Sequence, residues 1–244
     1  FARETVTRSS KETNITLLPV QLDYTFTIKN ITWEAGLKSV YSTFTNDVFV
    51  GALKDNAWQP DDEFTAIYYL TENVQAAYVS TTFSLNPKNQ LKAGLRYEHT
   101  ATNLDSDSKQ NVVDRKYGNL FPTIFWSHSL NDNNKINFSY SKRITRPTFN
   151  NLAPFMIFAD PNTFISGNPN LRPGITDGVK LDFMHKGYSA SVGYSYEKNS
   201  IGDFQVQVNP AENKVYQTAQ NLDYLAIASV TVNLPVPVTA YWFS

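Results

Sequence analysis

The sequence predicts an all-β fold of antiparallel strands, and three observations predict it. Apolar and polar residues alternate with period two through one segment after another. Aromatic residues make up 14% of the 244 while charged residues fall to 18%, and there are 14 Tyr and 16 Phe against 2 Met. Long connections alternate with short ones, near 46–63, 103–114 and 148–174 on one side and near 30, 87, 132 and 186 on the other.

Taken in order, Val20, Leu22, Tyr24, Phe26 and Ile28 share one face and Gln21, Asp23, Thr25 and Thr27 the other. After Asn30 the pattern resumes, with Trp33, Ala35, Leu37 and Tyr41 opposite Glu34, Gly36 and Lys38, which makes a hairpin with a tight end. A polar stretch from Asn46 to Glu63 reads as a loop. Val74, Ala76 and Tyr78 then read as an apolar face against Asn73, Gln75 and Ala77. Beyond the turn at Asn86 to Asn89, Leu91, Ala93, Leu95 and Tyr97 oppose Lys92, Gly94, Arg96 and Glu98. A polar loop from Asn103 to Asp114 precedes a strand through Phe121 to Leu130, and Ile136, Phe138 and Tyr140 follow the turn at Asn131 to Asn134. Val179, Leu181 and Phe183 lead to a turn at His185 to Gly187, and Tyr188 to Glu197 alternates again. A hairpin is expected at Asn209 to Asn213, before the strand from Tyr224 to Leu234. The count is about ten strands, or twelve if the long one breaks near Ser200 to Gly202, with every neighbour antiparallel.

The apolar faces are rich in Tyr, Phe, Leu and Val, while the opposite faces carry Glu34, Lys38, Lys92, Arg96, Glu98, Lys180 and Asp182. Two architectures use such strands. In a soluble extracytoplasmic β-sandwich, binding carbohydrate or protein, the apolar faces meet in a dry core. In an up-and-down transmembrane β-barrel they face lipid and the charges face a wet or plugged lumen. Strand length favours the barrel, because alternation over ten or more residues recurs here, whereas strands of soluble domains run about 5–6 residues. Average hydropathy does not oppose it, since a transmembrane strand needs only about 9–11 residues with every second one polar.

Other classes are excluded on composition and motif. A net charge of -1 without a basic run gives no footprint for nucleic acid, and zero cysteines remove disulfides and thiolate zinc sites. No phosphate-cradling loop, nucleophile elbow or paired-carboxylate signature is present, so no enzyme activity and no cofactor are expected. His99, His128 and His185 lack ligand spacing. Asp105-Ser106-Asp107-Ser108 has the start of a calcium loop but neither its Gly nor its closing Glu, and a solvated loop is expected instead.

Between two alternating segments, residues 143–174 hold Pro147, Pro154, Pro161, Pro169 and Pro173, none of which can donate to a strand ladder. Here Ser-Lys-Arg-Ile-Thr-Arg146-Pro147, Leu152-Ala-Pro154-Phe155 and Gly167-Asn168-Pro169-Asn-Leu171-Arg-Pro173 occur in that order. With Trp33 to Lys38, Glu72 to Tyr78 and Gly94 to Glu98, they closely resemble the barrel of TonB-dependent outer-membrane receptors, nearest the outer-membrane β-barrel proteins of the Bacteroidetes type. The likeness runs from about Gln21 to Trp242. One position departs from it: many relatives carry an acid directly after the second turn proline, where this chain has Gly174.

The resemblance implies a partial barrel of ten to twelve strands, with residues 1–244 forming part of one outer-membrane barrel domain and the plug domain and C-terminal strands absent. The implied function is energy-coupled uptake of a scarce nutrient of the siderophore, cobalamin or glycan class. The implied partners are outer-membrane lipid, the TonB complex through the plug, a small-molecule or glycan ligand, and copies of the same piece through open sheet edges. The motif residues read as mainly structural, Gly167 supplying positive φ and Leu171 an anchor. Trp58, Phe155, Phe158 and Phe164 read as loop aromatics available to a ligand.

Overall fold

The computed structural model describes residues 6–62, 64–154, 156–160, 163–209 and 214–235. Its main sheet contains β1 (Thr7–Ile28), β2 (Ile31–Lys54), β3 (Ala57–Pro60), β4 (Ala66–Asn86), β5 (Asn89–Ser106), β6 (Val113–Asn131), β7 (Asn134–Thr145), β10 (Gly174–His185), β11 (Tyr188–Lys198) and β14 (Tyr224–Asn233). They pair in the order β1-β2-β4-β5-β6-β7-β10-β11-β14, with β3 beside β2, and every pair is antiparallel. A helical turn α1 (Phe149–Leu152) and a second sheet, β12-β13-β9-β8, complete the fold. The second sheet consists of β8 (Met156–Asp160), β9 (Thr163–Ser166), β12 (Ile201–Asn209) and β13 (Lys214–Asn221).

Register assigns each side chain to a face. The ladder Leu22–Leu37–Ala77 and the ladder Phe138–Leu181–Val192–Val230 lie on one side, Lys38–Ala76–Glu98–Asn119 on the other. The first side is apolar and bare: Val20, Leu22 and Val230 are 69%, 69% and 75% exposed. Water would penalise so large an apolar sheet face, and hydrocarbon would not. Among the described residues no second sheet covers it, so the sandwich alternative fails. Among the described residues no helix is long and apolar enough to cross a membrane, and the strands are what cross.

Two expectations are corrected by the strands' height. β2, β4, β5 and β6 run 24, 21, 18 and 19 residues, about twice what a bilayer needs. The loop expected from Asn46 is therefore strand as far as Pro60: β2 continues to Lys54, turns at Asp55 and Asn56 with φ of 49° and 61°, and returns as β3, the geometry of a type I′ hairpin turn. Likewise β5 and β6 reach Ser106 and Val113, shrinking the loop expected at 103–114. Above the bilayer both faces of a strand meet water or protein, so polarity ceases to mark a loop.

Val74, Ala76 and Tyr78 face inward with Glu98 and Arg96, not outward; the bilayer face of β4 is Ala77, Val79, Thr81, Phe83 and Leu85. Nor is every neighbour antiparallel, since β13 pairs with β9 in parallel. The chain does break after Lys198, at Asn199 with φ 54°. However, the β12–β13 hairpin leaves the main sheet and β14 returns to pair with β11. Phe155, residues 210–213 of the expected final turn and the C-terminal residues Thr239 to Phe243 lie outside the described residues.

Candidate functional site

The concave face carries two structures, a charged wall at bilayer depth and a packed lobe above it. On the wall, Lys92 Nζ lies 2.8 Å from Glu34 Oε2, which also accepts from Ser80 Oγ at 2.8 Å. Tyr78 donates to Asp23, and Gln21 Nε2 donates to Asp23 Oδ2 at 2.8 Å. Gly36 makes room for this pair, because a Cβ there would strike the Tyr78 ring and lie 2.7 Å from the Asp23 carboxylate. Lys180 pairs with Asp182 at 2.7 Å, and Ser191 Oγ donates to Asp182 at 2.5 Å. All seven residues read from sequence as lumen-facing, from Glu34 to Asp182, share this face.

Glu98 is the centre of the wall. It is 5% exposed and held between Arg96 and Arg146, the latter donating from Nη2 to Oε2 at 2.5 Å and to Thr100 Oγ1 at 2.9 Å. A buried carboxylate is tolerated only when paired and hydrogen-bonded. The Arg-Pro step has a cause: Arg146 turns inward to bond β5 as β7 ends at Thr145, and Pro147 cannot extend that ladder. A groove of about 560 Å³ opens beside it, lined by Lys38, Tyr78, Arg96, Glu98, Phe121, Arg143 and Arg146 among others.

The lobe packs α1 and the Gly167 turn against the upper strands. Thr148 caps α1, its Oγ1 accepting from Asn151 N at 3.3 Å while Asn151 Oδ1 accepts from Thr148 N at 2.9 Å. Phe149, Leu152, Ala153 and Leu171 bury against Val48, Val50, Leu70, Leu104 and Val113. Asn168 N donates to Asn151 O at 2.6 Å, and its side-chain amide donates to Ala219 O at 3.1 Å. Asn221 Oδ1 accepts from Arg172 N at 2.7 Å, and Asn221 Nδ2 donates to Arg172 O at 2.9 Å. Arg115 donates to Pro169 O. Pro147 and Pro173 close a small void against Glu72, Arg115 and Tyr117, and Pro154 follows Ala153 out of the helical turn. Burial raises the Tyr117 hydroxyl above the ordinary tyrosine range, and burial together with nearby Arg172 lowers Arg115.

Gly167 has a different reason from the one expected. None of the described glycines has positive φ; at Gly167 a Cβ would strike the Ala153 carbonyl and come within 2.9 Å of its nitrogen. Gly167→Ala is therefore expected to destabilise the lobe by about 1–3 kcal/mol, the usual cost of overpacking. Loss of protease resistance in residues 146–173, with the main sheet's circular dichroism unchanged, is the readout.

The aromatic expectations change as well. Phe164 is 4% exposed, on β9, with its ring centroid 6.5 Å from Phe64 and 5.6 Å from Tyr216, so it packs the lobe and is not available to a ligand. Trp58 is 38% exposed beside Leu53 on the convex side, away from the lumen. Phe158 holds a place on β8 opposite Phe164. The Asp105 loop is self-contained: Asp105 Oδ1 accepts from Asn111 N at 2.6 Å and Asp107 Oδ2 from Ile67 N at 3.3 Å. His128 and His185 bond Asn89 and Asn134 beside the short turns. Among the described residues no group of three His, Cys, Asp or Glu could hold a metal ion. Sequence reasoning places Tyr78 on an apolar face and does not single out Arg143 or Asn221; the signal for Arg143 is a polar residue on the parity of Ser139 and Ser141, visible once register is known, and Asn221, on β13 of the second sheet, has no periodic signal.

The ten-stranded antiparallel sheet, apolar and bare outside apart from the Lys142–Asp177 pair near its upper part, charged inside and rising well above the bilayer, defines a segment of an outer-membrane β-barrel. The chain belongs to the outer membrane protein beta-barrel family, whose model matches residues 2–244, and it resides in the bacterial outer membrane. Solved structures share the fold. The copper transporter OprC aligns with a TM-score of 0.70 at 13% identity, over 92% of this chain and 35% of that one. The hemophore receptor HasR of Serratia marcescens aligns at 0.56 and 14% identity, over 93% and 39%. The ferric-catecholate import receptor Fiu of E. coli K12 aligns at 0.55 and 14%, over 92% and 35%. The chain thus spans little more than a third of the length of these structures. No curated protein matches it in sequence.

Proposed function

We propose that this chain is part of the barrel wall of a TonB-dependent receptor that takes up a scarce nutrient, of the siderophore, cobalamin or glycan class, across the outer membrane. The observation that carries this reading is the concave face: charges at bilayer depth need a lumen, and the tall strands with their packed lobe supply a rigid extracellular mouth on which recognition can be built. Solved relatives whose names are those of a copper transporter, a hemophore receptor and a ferric-catecholate import receptor support it through shared architecture. In this reading a plug domain fills the lumen and engages the TonB complex, and β1 and β14, the two ends of the sheet, join further barrel strands. The ligand contacts are made by segments other than Phe164, which the lobe consumes.

An antibody to this chain tests the reading on fractionated cells. A heat-modifiable outer-membrane band several times heavier than 27.6 kDa is expected. A membrane band of the chain's own size would overturn the receptor assignment while leaving the barrel family intact.

A further inference from the structure

The ladder between β6 and β7 is incomplete. It runs from Asn131 opposite Asn134 at the short turn to Thr123 opposite Ser141 and stops there, although β6 extends up to Val113 and β7 to Thr145. Pro122 is the next residue of β6 along this ladder and has no N–H to give. On their other sides both strands stay paired, Pro122 opposite Leu95 of β5 and Lys142 opposite Asp177 of β10. The chain leaving β7 turns to the inner side, where Arg146 meets Glu98 and Thr100. Among the described residues no other backbone takes the place of β7 along 114–121, or of β6 along 142–144. A gap bordered by two free strand edges therefore opens in the wall.

Its lipid side is polar where the convex face below it is apolar. Tyr140 donates to Asp177 Oδ1 at 2.6 Å, and Lys142 Nζ lies 3.5 Å from Asp177 Oδ2. Register puts Tyr196 beside Asp177, and its ring stacks on Tyr224 at 5.5 Å. Lys142 stands eight residues above Asn134. That is about 20 Å of rise for a strand tilted by about 40°, near the outer edge of an apolar band about 25 Å tall. From β5 to β11 the convex positions at this level and above carry Lys116, Lys142 and Lys198 against Asp105, Asp114 and Asp177, so the charges balance. No surplus draws an anionic surface by charge alone. What the patch offers is hydrogen bonding, from unpaired N–H and C=O groups on two edges and from tyrosine hydroxyls. Such edges are not tolerated against hydrocarbon, and at the interface they take partners from whatever lies there.

We infer that the gap binds the phosphorylated sugar headgroup of an outer-leaflet glycolipid, whose acyl chains lie over Ile124, Val179 and Leu181, all exposed on the convex face. Sugar hydroxyls both donate and accept, as two free strand edges require, and a phosphate on the sugar reaches Lys142. A phosphodiester head without a sugar supplies acceptors for the N–H groups and little for the C=O groups. This site belongs to the barrel wall in its membrane and stands whether or not the receptor reading does.

Hydrogen exchange followed by mass spectrometry tests it, on protein purified from outer membranes and placed in phosphatidylcholine vesicles with or without lipid A, a phosphorylated glucosamine-disaccharide lipid. Peptides covering 114–121 and 142–145 are expected to exchange about tenfold more slowly with lipid A, the rest of the barrel staying unchanged. Lys142→Gln combined with Asp177→Asn should lose most of that protection while the circular dichroism stays the same. No slowing by lipid A would overturn the site, as would protection that the double variant keeps. Equal protection from phosphatidylglycerol at matched negative charge, or from inorganic phosphate beside plain vesicles, would also overturn it, by showing that charge alone acts. Slow exchange already in phosphatidylcholine alone would mean that protein closes the gap, and would overturn it too.

Discussion

Replacing Glu98 by Ala is expected to be among the most damaging single changes in the barrel wall, costing about 3–5 kcal/mol. The carboxylate is 5% exposed and is the shared acceptor of Arg96 and Arg146. Without it two guanidinium groups face each other in a partly buried site, and breaking a buried ion pair on one side costs that much because a charge is left uncompensated. The exposed half of Arg96 keeps some solvation, so most of the loss falls on Arg146, whose side chain is 22% exposed. Arg146 also anchors the start of the lobe, through Thr100 and the step into Pro147. Urea unfolding of the protein in detergent, followed by the heat-modifiable mobility shift, measures the loss. Glu98→Gln should recover part of it by keeping an acceptor in place. A Glu98→Ala variant as stable as the parent would show that the clamp is not a folding element.

The Glu98 clamp also marks how far sequence carries. Parity alone put Glu98, Arg96 and Lys92 on one face, because side-chain direction in a strand has period two. That the partner of Glu98 is Arg146, 48 residues away on the far side of β6, follows only from register. The lobe was less legible for another reason. A bilayer imposes alternation on the residues that cross it, and nothing imposes alternation on the same strand ten residues higher. There, inward Val48, Val50, Leu104 and Val113 answer to Leu152 and Leu171 from an irregular segment. The Gly-Asn-Pro turn was recognisable as structural, yet its reason, the approach of Gly167 to the Ala153 backbone, is a contact between two parts of one loop and has no periodic signature. Val74 to Tyr78 look like a lipid face from sequence because a tyrosine ring is apolar, yet the Tyr78 hydroxyl serves Asp23 on the inner side.

A charge on the convex face provides the complementary test, and its position fixes the membrane. Val192 lies in the ladder Phe138–Leu181–Val192–Val230, about half-way up β11 from the Lys186 turn, and is 57% exposed in the absence of lipid. Val192→Arg is expected to cost about 2–4 kcal/mol in a bilayer, the range for a basic side chain at the midplane of a barrel's lipid face. Thr231→Arg, one register step away on β14 and pointing into the lumen, should cost well under half as much, because its head group stays in a polar space. Moving the convex substitution to Ala226, six residues from Val232 towards the upper rim, should bring the cost down towards about 0–1 kcal/mol as the guanidinium reaches the interface. Folding yields into lipid vesicles across a urea series measure all three. The discriminating result is the ordering, Val192 above both Thr231 and Ala226. It follows from which face meets hydrocarbon and at what depth, and a water-soluble sheet would show no depth dependence. If Thr231→Arg proved the costlier change, the inside and outside of this wall would have to be exchanged, and the charged groove with them.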